Sequence, residues 1–175
     1  MADQDPITPA PEGNGQGAGE QPQATTIAQY IKDLSVESPS APSVFQWQTQ
    51  PALDVQFGIN GSKVGEDVHE IILKIEVNAK SDSGTHFIVD LSYAGLFGFR
   101  NIPEEALPPF LLVEAPRLLF PFARQIIAET VQNLGFPPVL LDPIDFASAY
   151  VAQAEAAQQA QGQPGGDGEP PVGHA

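Results

Sequence analysis

Apolar and polar residues alternate one by one along three segments in the first half of the chain, at residues 53–60, 70–80 and 86–93. A period of two is typical of β-strands that bury one face and leave the other in water. Residues 61–65 and 81–84 contain Gly and Ser and predict turns between these segments. The pattern therefore predicts three consecutive antiparallel strands joined by short connections.

An earlier segment, Ile27–Glu37, is also prone to form a strand. Its apolar positions change parity between Ile31 and Leu34, which predicts a β-bulge or a strong local twist. With this segment included, the sequence predicts a four-stranded antiparallel sheet that has one dry face and one wetter face.

In the second half of the chain, the apolar residues recur at the spacing of a helix. A proline-rich crossover at residues 103–109 is predicted to lead into a long helix from Leu118 to Leu134. Gly135 follows the helix as its C-terminal cap, and two prolines lie just beyond it. Pro121 is expected either in the first turn of this helix or at a kink.

The long helix carries more apolar positions than one buried stripe requires. We expect one side to pack on the sheet and the other to meet a second subunit. A shorter final helix is predicted to begin near Asp145, which suits an N-cap. The predicted fold class is α+β, a four-stranded antiparallel sheet followed by a long helix and a shorter C-terminal helix. The predicted subunit contacts are Phe122, Ile126, Ile127 and Thr130.

Both ends of the chain differ in composition from the middle. Residues 1–25 and 158–175 are rich in Gly, Pro, Gln and Ala, and such segments bury too little apolar surface to offset their ordering entropy. We therefore predict one domain at residues 26–157 between two disordered tails. The start of the chain lacks the apolar core of a secretory signal, and no continuous apolar stretch approaches the roughly 20 residues that cross a bilayer. The expected location is the cytoplasm, without membrane insertion.

The 175 residues include 7 Lys and Arg against 22 Asp and Glu, which gives a formal net charge of -15. A surface of that sign repels phosphate, so the composition argues against nucleic-acid binding and favours basic partners. The chain has no Cys, which excludes disulfides and thiolate chemistry.

Residues with catalytic or metal-binding chemistry are few. His69 and His86 each lie in a predicted strand, and the favoured interpretation is one histidine at a strand end and one facing solvent. Glu66, Asp67 and Glu70 lack the alternating oxygen ligands and the Gly of a calcium loop, so solvated charge is favoured there. No nucleophile elbow, phosphate loop or spaced metal ligands are present. The sequence therefore predicts a protein that is not an enzyme and has no cofactor or bound metal.

Five fragments in order resemble the SecB family of bacterial protein-export chaperones. The resemblance extends from about Thr26 to Gln153. The fragments are YIKDLSVESPSAPSVFQ (Tyr30–Gln46), EDVHEIILKIEV (Glu66–Val77), the strand end at Gly95–Phe97, LLFPFAR (Leu118–Arg124) and GFPPVLLDPIDF (Gly135–Phe146).

This resemblance implies a homotetramer, arranged as a dimer of dimers with the long helices packed between sheets. It also implies an ATP-independent chaperone that binds unfolded secretory precursor proteins and delivers them to the SecA ATPase. Clients would bind in a long apolar groove beside the crossover. SecA would dock through a basic, zinc-bearing C-terminal segment on an acidic patch of the sheet.

The resemblance also assigns residues to these two surfaces. For the SecA patch they are Asp33, Glu37, Ile88 and Asp90, where Asp90 replaces the Glu that is usual in the family; the alternative is an ordinary solvated sheet face. The family carries a Trp just before the matched Gln-Pro, whereas here Thr49 fills that place and Trp47 lies slightly earlier. Trp47 is either a core anchor or an exposed binding aromatic. The groove residues are Tyr30, Trp47, Leu53, Val55, Phe57 and Phe87, several of which would also suit an ordinary sheet core.

Two other classes of function remain open from the sequence. The sheet and helix could form a pocket for a small ligand or an enzymatic substrate, although no acid, base and nucleophile converge. The chain could also be an acidic adaptor that recognises folded partners, and a preference for unfolded over folded clients separates this reading from the chaperone.

Overall fold

The structure is a computed structural model and describes residues 21–161. It contains four strands, β1 (Gln23–Glu37), β2 (Ala52–Lys63), β3 (Val68–Ser81) and β4 (Gly84–Arg100). Two helices follow, α1 (Ala115–Asn133) and α2 (Phe146–Gln161). The predicted α+β fold, with its long and short helices, is confirmed. β1 and α2 each extend a few residues beyond the predicted domain limits, and the remainder of the two predicted tails lies outside the described residues.

The four strands form one antiparallel sheet in the order β1-β4-β3-β2. The two hairpins β2–β3 and β3–β4 follow from short turns, and β1 returns to pair with β4. β3 and β4 are therefore central, whereas β1 and β2 are the edges. The register of β1 shifts between Ile31 and Asp33, where the sequence predicts a bulge, and again between Thr26 and Ala28.

The core lies on one face of the sheet, here called the inner face, beneath α1. The alternating residues of β3 and β4 are fully buried there, as the period of two predicts. Gly95 permits a close approach, because a Cβ at this position would lie 2.9 Å from Leu119 Cδ2. The α1 side chains buried against the sheet include Leu119, Ala123, Ile127 and Val131.

The proline-rich crossover is helical, which corrects the sequence prediction. Residues 104–114 pass through a 3₁₀ turn, a single α-turn and a π-helical turn, and they continue directly into α1. Prolines are tolerated in the first turn of a helix, where a missing N–H breaks no hydrogen bond. The π-turn ends with the Ala115 N–H donating to the Phe110 carbonyl. Pro121 lies inside α1 rather than in its first turn.

Both predicted helix caps are confirmed. Gly135 has φ +90° and donates its N–H to the Gln132 carbonyl at 2.9 Å, while the Phe136 N–H reaches the Val131 carbonyl at 3.3 Å. This pair of hydrogen bonds is a Schellman motif and requires a residue that tolerates positive φ. At the start of α2, Asp145 accepts the Ser148 backbone N–H at 3.0 Å, which lowers the pKa of the Asp145 carboxyl.

The helical segment 104–133 is apolar and long enough to cross a membrane by length and composition alone, with a mean hydropathy of 1.3 in its 18-residue window. The sequence analysis did not expect a segment of that length. One third of that 18-residue stretch is buried inside the chain. Packing on the sheet therefore explains part of the apolar composition, and the remainder lies on the outward side of the helix.

Candidate binding surfaces

The inner face of β2 carries a row of uncovered apolar side chains. Leu53, Val55 and Phe57 are 48%, 38% and 45% exposed. Their cross-strand partners on β3 are fully buried, because α1 covers the central strands and leaves the edge uncovered. We call these three residues the apolar β2 surface. Large exposed apolar residues in a continuous row indicate a contact surface.

A cavity of about 390 Å³ adjoins one end of the apolar β2 surface. The ring of Phe57 meets Phe146 at the start of α2 edge to face, with ring centroids 6.3 Å apart. Leu112 of the π-turn and Ala149 and Tyr150 of α2 complete the lining, so this end offers a concave site in which apolar side chains adjoin polar groups. The lining residues are Phe57, Gly58, Ile59, Leu112, Ala149 and Tyr150.

The segment that connects β1 to β2 contributes two aromatic rings. Trp47 is half-buried against His86, edge to face, with ring centroids 5.0 Å apart. Phe45 is 55% exposed and stacks on Phe136 at 5.4 Å. The more accessible aromatic of this segment is therefore Phe45, which the sequence analysis did not assign to a site.

Two predicted groove residues lie away from the apolar β2 surface. Phe87 is only 2% exposed and packs in the core against Phe136, with ring centroids 5.0 Å apart. Tyr30 lies on the opposite, outer face of the sheet, beside Ala94 of β4. Phe87 therefore shares the inner face with Leu53 and Val55 but is covered there, whereas Tyr30 lies on the other face of the sheet.

His86 also differs from its expected position. It is buried rather than facing solvent, because the Trp47 ring covers it. Its Nε2 lies 2.9 Å from Ser81 Oγ. His69 is half-buried at the end of β3, with its ring edge to face on Phe99 at 5.4 Å. These contacts are structural, and no group of three or more metal-ligating side chains occurs among residues 21–161.

The outer face of the sheet is acidic at one end. Glu37 pairs with Ile88 across β1 and β4, and Asp90 lies between Ser35 on β1 and Glu76 on β3. The register therefore places the four predicted SecA-patch residues on one face. It adds two carboxylates that the sequence analysis missed, because they become neighbours only through the strand order. We call the set Asp33, Glu37, Asp54, Glu76, Ile88 and Asp90 the acidic surface.

Few cations lie within the acidic surface. Lys74 Nζ lies 3.1 Å from Asp90 Oδ2, and both side chains are partly exposed. An exposed ion pair of this kind is weak, since water and salt screen it. The surface therefore keeps an excess of negative charge that suits a basic partner.

Further along the outer face, the buried Glu70 contacts two residues of β1, the half-buried Tyr30 and the exposed Lys32. Its carboxylate accepts hydrogen bonds from the Tyr30 hydroxyl and, at 2.6 Å, from Lys32 Nζ. The Lys32 ammonium is the main cause that lowers the pKa of Glu70, and the Tyr30 hydrogen bond adds to it. The same hydrogen bond raises the pKa of the Tyr30 hydroxyl. Both oxygens of Glu70 are thus engaged within the protein.

The outward side of α1 carries three apolar residues and one threonine at intervals of four residues, Leu118, Phe122, Ile126 and Thr130, here called the helix row. Leu118 and Phe122 are exposed, and Ile126 and Thr130 are partly buried. Ile127 is the exception among the predicted subunit contacts. It is fully buried in the core of its own chain, so its side chain is not available to a second subunit. Phe122 also stacks on Tyr93 of β4, with ring centroids 6.4 Å apart.

Comparisons with known proteins agree with this architecture. A family model described as "Preprotein translocase subunit SecB" matches residues 17–158. A relative from Sphingopyxis alaskensis named "Protein-export protein SecB" is 51% identical over 178 residues and covers all of both chains. One from Rhizorhabdus wittichii with the same name is 54% identical over 147 residues, which is 83% of this chain and 89% of the relative.

Among solved structures, this chain is similar to a SecB-like chaperone of Mycobacterium tuberculosis in complex with a peptide from the HigA1 antitoxin. The TM-score is 0.58 at 16% sequence identity, and the match covers 69% of this chain and 90% of that one. At this identity the likeness shows a common fold.

Proposed function

The chain belongs to the SecB family of protein-export chaperones, and we propose that it holds unfolded precursor proteins in a translocation-competent state and passes them to SecA. It acts in the cytoplasm by binding alone, without ATP and without catalytic chemistry. The apolar β2 surface is the single observation that carries this proposal. A chaperone of many clients needs exposed apolar area on a rigid scaffold rather than one shaped polar pocket.

The apolar β2 surface suits segments of unfolded chain. Removing water from apolar client side chains contributes about 25 cal/mol per Å² before the cost of ordering both partners is subtracted. The neighbouring cavity beside Phe57 offers room for a larger client side chain. Phe45 extends the same kind of surface from the β1–β2 connection. The solved SecB-like chaperone holds a peptide, which supports the proposal for this fold.

SecA docks on the acidic surface of the outer face in this proposal. Its basic, zinc-bearing C-terminal segment is complementary in charge to Asp33, Glu37 and Asp90, while Ile88 supplies an apolar contact at the centre. Clients and SecA then occupy opposite faces of one sheet. Transfer would not require one partner to displace the other from the same residues.

Subunits meet through the helix row, and the assembly is a homotetramer. Phe122 and Leu118 are 49% and 47% exposed in the single chain, which is unusual for large apolar residues side by side. Ile31 and Leu34 on the inner face of β1 are also exposed and adjoin Tyr93 and Leu91 of β4. Contact with a second copy would remove this apolar area from water.

Aggregation of a chemically denatured precursor, followed by light scattering without ATP, tests the client site. We expect the wild type to suppress aggregation and the Leu53→Ser/Val55→Ser variant to need about tenfold more protein for the same effect. Val64→Ser is the matched control, because Val64 is 54% exposed but lies in the β2–β3 turn. Equal activity of the wild type and the double variant would contradict the assignment.

A further inference from the structure

Glu70 is the one carboxylate among the buried residues that the structure describes in the sheet, and it lies outside the acidic surface. Its side chain is 10% exposed, whereas that of its partner Lys32 is 45% exposed. Burying a carboxylate costs free energy unless the group is paired with a cation and hydrogen-bonded. Glu70 has both from β1, since the Lys32 ammonium pairs with it and the Tyr30 hydroxyl donates a hydrogen bond to it.

Lys32 occupies a distinctive place in β1. It is the extra residue at the register shift between Ile31 and Asp33. It also directly precedes Asp33, which belongs to the acidic surface. Its ammonium is nevertheless held at Glu70, which pairs with Leu96 on β4. Asp33 pairs with Ser92, four residues away along the same strand. The ion pair therefore draws the Lys32 charge along the sheet, away from the acidic surface.

We infer that Glu70 is a positioning residue for the acidic surface: it sequesters the Lys32 cation at the β1 bulge and thereby preserves the negative field that attracts a basic partner. The inference rests on the docking surface proposed above and adds a residue to it. A freed Lys32, on its flexible four-carbon stem, would be able to approach the carboxylate of the adjacent Asp33, and such charges interact over a Debye length of about 10 Å at 0.1 M salt.

Binding of purified SecA to the full chain, measured by calorimetry at 0.05 M and 0.5 M salt, tests the inference. Glu70→Gln keeps the size of the side chain and frees the Lys32 charge, so we expect about threefold weaker binding at low salt and a smaller difference at high salt. Lys32→Gln/Glu70→Gln removes the freed cation as well, and we expect it to return to within about twofold of the wild type.

Tyr30→Phe separates this role from a purely structural one. It removes one hydrogen bond to Glu70 but leaves the ion pair, so binding should match that of the wild type. If the double variant binds as weakly as Glu70→Gln, or if Tyr30→Phe weakens binding equally, Glu70 supports the fold alone and the inference is wrong.

A further variant covers the case in which Glu70→Gln does not fold. Lys32→Gln alone is then expected to change the affinity by less than about twofold, because the cation is already sequestered. A larger gain in affinity would show that Lys32 acts within the acidic surface and would overturn the inference. Absence of SecA binding to the wild type at either salt concentration would instead contradict the proposed docking function itself.

Discussion

The ring of Phe57 on β2 meets the ring of Phe146 on α2 edge to face, with centroids 6.3 Å apart. This contact divides β2 into two parts. At Phe57 the strand is flanked by α2, whereas at Leu53 and Val55 the inner face stays open. A short second helix therefore closes one end of an apolar surface that the long helix leaves uncovered.

The helix row is expected to hold subunits together. Ile126→Glu places a charge where two apolar helices would meet, so we predict dissociation of the proposed tetramer into smaller species. Gln125→Glu adds the same charge at an exposed neighbouring position and should leave the assembly intact. Light scattering coupled to size-exclusion chromatography measures both masses, and an unchanged mass for Ile126→Glu would show that this position is not in an interface.

The adjacent residue should behave differently. Ile127 is fully buried between α1 and the sheet, so Ile127→Ala leaves a cavity in the core. We expect a loss of about 2–5 kcal/mol in the free energy of unfolding. Urea unfolding followed by circular dichroism at fixed protein concentration checks this value. A near-normal stability together with a reduced mass would place Ile127 at an interface instead.

Reversing charge on the acidic surface should separate the two binding activities. The triple variant of Asp33, Glu37 and Asp90 to Lys is predicted to weaken SecA binding at least tenfold at low salt while client capture stays unchanged. An equal charge change at exposed Glu104, Glu105 and Glu129 provides the control. Parallel loss of both activities in a folded triple variant would argue against distinct faces.

The ion pair between the buried Glu70 and the partly exposed Lys32 should make stability depend on pH. Lys32 lowers the pKa of Glu70 below its ordinary value of 4.5, so the pair's contribution is fully present above that value. It is lost as the pH falls through the lower pKa of the folded state. The stability difference between wild type and Glu70→Gln should therefore shrink on acidification from pH 6 to about pH 3. A constant difference across this range, measured by urea unfolding, would contradict the assignment; Glu105→Gln controls for the lost charge.

Much of this fold follows from local pattern. The period of two in β2, β3 and β4 predicts the strands, and the parity change between Ile31 and Leu34 predicts the bulge at Lys32. The caps at Gly135 and Asp145 follow from residue types that satisfy the ends of helices. The helical crossover was missed because its prolines suggest a break, although they fit the early turns of a helix.

The composition of the two binding surfaces depends on strand order and long-range strand pairing, which the alternation of apolar and polar residues does not specify. Periodicity places Phe87 and Leu53 on one face of the sheet, but only the strand order makes β4 central and covered and β2 peripheral and open. Tyr30 falls on the other face because the bulge changes the parity of β1 between Tyr30 and Asp33. Glu76 joins the acidic surface through its pairing with Asp90, a long-range contact that one sequence does not specify.

Photo-crosslinking from the apolar β2 surface shows whether unfolded clients bind at that surface. A photoreactive p-benzoylphenylalanine replaces either Val55 on the inner face of β2 or the more exposed Val64 in the neighbouring turn. With a denatured precursor and no ATP, we expect covalent adducts from position 55 and few from position 64. Adducts of equal yield from both positions, or from position 64 alone, would contradict client binding at that surface.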